Sequence, residues 1–259
     1  MSEIDELTAL STNVINLFCD IDFNIPKQNN HEDLKYTAFA FFFKQRHHLL
    51  SLIKLEESFD TFLIVRSMIE GVFLLRAAID DPSTLTYWNE RRDIENLELL
   101  EIKKRSNLEI QNGIEDEIRE RLESLEHHLN KKKKEKTLKN GRQISSKDFS
   151  PYKPTLKDLK KLIEGDQTLF EFMQYLYNSA SKWHHWNVFA VDWIVERSND
   201  SWHVNKKSYK SFICHIMGIQ CTLETAKICN EKLSLSKEEE IASLEKNMYA
   251  IFDRYIKKS

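Results

Sequence analysis

Five glycines and four prolines serve a chain of 259 residues. An average protein gives about 12% of its positions to these two types, so tight turns are scarce here and the regular elements must be long. A β-sandwich or barrel needs a turn every ~10 residues and would starve on this supply. Phosphate-cradling loops are excluded for the same reason: neither GxGxxG nor GxxxxGK occurs. Apolar residues make up 41% of the chain and aromatics 11%, which builds a sizeable core and rules out general disorder. The expected fold is therefore all-α: a helical bundle read as one domain over residues 1–259.

Hydrophobic spacing sets out the elements. Ile4, Leu7, Leu10, Val14, Ile15 and Phe18 mark an amphipathic helix over residues 3–19. A second helix opens at Asn30 or His31 and runs to about Glu56. A third, from Ser58 to Ile79, is apolar nearly all round, so Phe62–Ile79 is expected to be the central and most buried helix. Arg66, Glu70 and Arg76 interrupt that run, which argues against a membrane span. From Pro82 to Lys136 a thin stripe that includes Leu97, Leu100 and Ile102 lies among Glu, Lys and Arg. This reads as a long polar helical arm, inserted with a basic linker over residues 83–150 and supporting a homodimer. Helices are expected again near 155–164 and 168–186, then a small hairpin within 190–204, where Trp193/Val195 and Trp202/Val204 alternate around Ser198-Asn199-Asp200. Two helices close the chain, about 206–232 and 237–256, with Ser234 or Ser236 capping the second.

The four cysteines, Cys19, Cys214, Cys221 and Cys229, form no CxxC pair and read as buried thiols of a cytoplasmic protein. The acidic start MSEIDEL lacks the basic opening of a signal peptide. No HEXXH and no paired E-x-x-H occur, so no metal and no cofactor are expected.

Two polar clusters stand out on apolar helices. Arg66 and Glu70 are four residues apart and share a helical face, where a charge is costly unless paired. Tyr177, Ser181 and His185, with His184 beside it, align a phenol, a hydroxyl and an imidazole along another face. Bringing both helices together would satisfy the guanidinium and place a titratable group beside fixed charges, so these six residues are the candidate catalytic set. The competing reading makes them a structural network.

Ile64-Val-Arg66-Ser-Met-Ile-Glu70 and the later Tyr177-xxx-Ser181-xxx-His185 resemble an all-helical prokaryotic family of unknown function, which shows R-S-x-x-E on one helix and Y-x-x-x-S-x-x-x-H on another. The likeness covers about residues 35–190 and implies a fold and a pocket rather than a reaction. A looser resemblance is to HEPN proteins, helical bundles of toxin–antitoxin and antiphage systems. Their metal-independent ribonucleases use R-x(4–6)-H, which Arg121…His127 and Arg197…His203 match formally.

From Asn130 to Lys161 there are twelve Lys or Arg against three Asp or Glu, a balance of +9 that leaves −12 for the rest of a chain of net charge −3. Lys131, Lys132, Lys133 and Lys134 are its densest part and a candidate nucleic-acid contact; a solvated loop is the alternative. The expectation is thus a cytoplasmic helical effector of a defence or stress system acting on RNA, with a homodimer, RNA, or a protein partner such as an antitoxin as its contacts and no membrane. The alternative is a non-enzymatic scaffold whose arm binds a partner.

Overall fold

The computed structural model describes residues 3–21, 34–106, 113, 116, 167–184, 195–198, 201–204 and 211–258. Helices carry the architecture: α1 (Glu3–Asn16), α2 (Leu34–Leu55), α3 (Thr61–Asp80), α4 (Ser83–Arg105), α5 (Gln167–His184), α6 (Ser211–Leu233) and α7 (Glu238–Lys258). The strands β1 (Val195–Ser198) and β2 (Ser201–Val204) form a two-stranded antiparallel hairpin. The fold is all-α, with the hairpin inside the span expected for it. Two compact units divide the chain: Met1–Ala77 with Leu156–Ser259, and Ala78–Thr155.

In the first unit α6 lies along α2 and also touches α1 and α7, while α1 packs on α2 and α7. The central helix is α6, not α3 as the hydropathy suggested. Every residue from Cys214 to Ala226 is buried, whereas Leu63 on α3 is exposed and Ile64, Arg66, Ser67 and Glu70 are half-buried. The physical reason is that α6 carries polar groups satisfied inside the core, so its hydropathy understates its burial. Thr222 and Thr225 donate to the carbonyls of Gly218 and Cys221 one turn back. His215 sets Nε2 2.7 Å from the Leu52 carbonyl and Nδ1 3.0 Å from the Ser211 carbonyl. Gly218 lets α6 approach α2, because a Cβ there would run into Leu52, with Met68 and Leu49 already in contact around it.

The ends of the helices follow local chemistry. α1 stops at Asn16, earlier than its stripe suggests, because Phe18 takes a left-handed backbone (φ 69°) that carries its ring into the core against Phe42. At the end of α6 Ser234 is left-handed (φ 55°), and the Leu235 N–H reaches back to the Asn230 carbonyl, with Leu235 against the core. That is a Schellman stop built on serine instead of glycine. The cap of α7 comes from α6: Asn230 Oδ1 accepts from the Lys237 N–H, and its Nδ2 donates to Glu238. A cap from the Ser234 or Ser236 side chain was expected; the preceding helix supplies it instead.

The second unit is described through the end of α3, α4, and positions 113 and 116. Leu97 and Leu100 of the predicted stripe are buried, but Ile102 is 48% exposed, beside Leu99 at 57%. The expected helix near 155–164, the remainder of the arm and the basic linker lie outside the described residues.

Candidate polar site between α3 and α5

Helical spacing puts Arg66 and Glu70 one turn apart on α3, and α5 brings Tyr177 to them. Arg66 Nε lies 3.3 Å from Glu70 Oε1. That is an ion-pair distance, yet the N–H is not aimed at the oxygen, and Nε has no hydrogen-bond partner among the described residues. The guanidinium sits over the Tyr177 ring, 5.3 Å from its centroid, a cation–π contact. Tyr177 donates its hydroxyl to Glu70 Oε1 at 3.0 Å. Burial pushes the Tyr177 phenol above its ordinary value and the Glu70 charge adds to this, while Arg66 opposes it. At neutral pH the hydroxyl therefore keeps its proton. The cluster is open on one side: the Glu70 side chain is 42% exposed and that of Arg66 20%.

Of the six residues singled out in the sequence, three are thus in mutual contact. Ser181 follows Tyr177 by one turn on α5 and is half-buried; His184 is exposed at the end of that helix. His185 and Lys131–Lys134 lie outside the described residues, as do Arg121 and His127. The hairpin register pairs Arg197 with Trp202 and Glu196 with His203. Positions 197 and 203 therefore alternate onto opposite faces of the ribbon, which separates that R-x(5)-H pair.

Two polar groupings escaped the sequence. Ser67, inside R-S-x-x-E, has its Oγ 3.4 Å from Nε2 of His48 on α2. Burial holds the His48 imidazole below its ordinary value, helped by Lys44 and His47, so it is neutral at pH 7. One turn before it, Gln45 donates to the Met68 carbonyl at 2.7 Å, lying so close to Gly71 that a Cβ there would stand 2.9 Å from its Nε2. The usable signal was His48 on the same α2 face as Gln45, three residues apart in an apolar helix.

The other grouping joins α3, α6 and α7. Arg76 pairs with the buried Glu224, and Lys227 bridges Glu224 (2.9 Å) and Glu245 (2.7 Å). Gln220 donates to both carboxylates, at 3.1 and 3.2 Å. Burial alone would raise the Glu224 carboxyl, but Lys227 and Arg76 outweigh it and hold it below the ordinary range. Lys227 is likewise lifted by Glu245 and Glu224 against burial. Every charge here has an opposite partner, so this network fastens three helices together rather than offering a reactive group.

Among the described residues no three His, Cys, Asp or Glu side chains gather as a metal cluster would. No described helix is long and apolar enough to cross a membrane. One family, described as a family of unknown function (DUF5677), matches residues 49–201. No curated protein and no solved structure matches the chain.

Proposed function

The chain belongs to the family of unknown function DUF5677, whose match spans more than half of it, and from that premise we propose a cytoplasmic, metal-independent effector that acts on RNA in a prokaryotic defence or stress response. One observation carries the reading: a guanidinium, a carboxylate and a protonated phenol meet on α3 and α5, with the carboxylate partly open to solvent. Cleaving a phosphodiester without a metal needs three things: a base for the ribose 2′-OH, a cation for the charge on the phosphorane, and an acid for the leaving 5′-oxygen. Glu70 takes the first role, Arg66 the second and Tyr177 the third. The products are a cyclic phosphate and a 5′-hydroxyl. Ser181 and His184 follow along the same helix, and together with His185, the next residue in the sequence, they serve to orient the substrate. Lys131–Lys134 add backbone affinity, which falls steeply with salt.

The test is RNA cleavage in excess chelator. Arg66→Ala and Tyr177→Phe are expected to abolish it while shifting Tm by no more than a few degrees. Neutralising Lys131–Lys134 should flatten the salt dependence of RNA binding by about one log–log unit for each phosphate these lysines neutralise. The scaffold reading is favoured by a different fact: Glu70 already accepts from Tyr177 and lies at ion-pair distance from Arg66, so the carboxylate is engaged within the cluster. Under that reading both variants lower Tm sharply, and no RNA is bound or cut by the unaltered protein.

A further inference from the structure

We propose that the exposed strip on α4 is a self-association surface that pairs with the same strip of a second copy in antiparallel register. The inference rests on α4 alone and stands apart from the reading of the Arg66 cluster. Glu95, Leu99, Ile102 and Ser106 follow one another at four, three and four residues, the spacing of a single helical face, and all are exposed. Leu99 and Ile102 expose 57% and 48% of their surface, while Leu97 and Leu100, roughly opposite them on the helix, are buried. The helix thus has a second apolar seam besides the one it buries. Glu98 and Arg105, two turns apart and both exposed, flank the seam on one side.

Charge decides the direction. In a parallel pair Glu95 would meet Glu95 of the second copy inside the seam, a like-charge contact. Turned antiparallel about a two-fold axis between Leu100 and Glu101, Leu99 lies on Ile102 of the second copy and Glu95 on its Ser106. Glu98 then flanks Arg105 of the second copy, twice by symmetry. The same turn brings the basic end of each helix, Lys103, Lys104 and Arg105, toward the acidic stretch of the other and opposes the two macrodipoles. With two exposed apolar residues per copy, the association is weak and depends on concentration.

Sedimentation equilibrium of the full chain, carried up to roughly hundreds of micromolar, tests this. A reversible monomer–dimer equilibrium is expected. Glu98→Arg should raise the dissociation constant at least about tenfold, and adding Arg105→Glu should restore it. Leu99→Ser with Ile102→Ser should leave a monomer. All these sites are on the surface, so circular dichroism of each variant should match the unaltered chain. A monomer at every concentration overturns the proposal, as does a dimer indifferent to the Leu99/Ile102 change. Weakening by Glu98→Arg that Arg105→Glu fails to restore overturns the antiparallel register.

Discussion

Gly218 sets how closely α6 can lie on α2. Gly218→Ala would drive a methyl into Leu52, and because that side chain is itself fully buried it must repack or the helices must shift. The expected cost is about 1–3 kcal/mol, read by urea denaturation. A lone glycine in an apolar helix gives no sign of such a role in the sequence, because nothing in the string says which neighbour fills the missing side chain's place. Arg66, Glu70 and Tyr177 were legible because a charge on an apolar helix must be paired and a four-residue spacing names its face. His215 was not, since an imidazole held between two carbonyls of different helices is a tertiary fact. Burial pushes its pKa below the ordinary 6.5, against the pull of the Leu52 and Ser211 carbonyls. The unfolded chain therefore takes up the proton first. The stability gained from the neutral ring is complete above 6.5 and declines as the pH falls toward the lowered folded value. His215→Phe should remove about 1–3 kcal/mol at neutral pH and shrink the difference in stability between about pH 7.5 and pH 5.5.

At the scale of elements, the long helices were readable because turn residues are so few, but their rank was not. α3 looked central by its letters, whereas α6 is central because Gln220, Glu224, Thr222 and Thr225 find partners within the core. Hydropathy counts such residues as surface. The Arg76–Glu224 pair spans 148 positions, a separation at which single-sequence spacing has no purchase. Its effect should appear on acidification. Glu224 is held below its ordinary 4.5, so its contribution is complete above that value and is lost as the pH drops through the folded one. Glu224→Gln should lower stability at neutral pH and reduce the slope of the acid transition followed by circular dichroism. The junction of α6 and α7 makes a separate prediction. Asn230→Ala removes both the bond to the Lys237 N–H and that to Glu238, at an expected cost of about 1 kcal/mol, whereas Ser236→Ala should cost a few tenths.

For the whole molecule, the family match at residues 49–201 contains Arg66, Glu70 and Tyr177 but stops short of α6 and α7. The matched segment supplies the candidate chemistry, and the chain beyond it closes the core. A fragment limited to 49–201 would bare Leu49, Leu52 and Met68, which α6 contacts at Gly218. It should show no cooperative thermal transition, whereas the full chain should show one. The burial of α6 also divides the thiols into two kinetic classes. Cys19, expected to be buried with the others, is instead exposed just past the end of α1, with Arg46 Nη2 3.0 Å from its sulfur. Cys214, Cys221 and Cys229 are enclosed; burial lifts the Cys229 thiol to about 12 and Cys221 higher still, the latter with help from Glu224. A disulfide reagent should therefore consume one equivalent per chain at once and three more only as fast as α6 leaves its seat. The slow phase is a clock for rare opening of the native state, and its rate in each variant above would report how often that part of the molecule opens, without any denaturant.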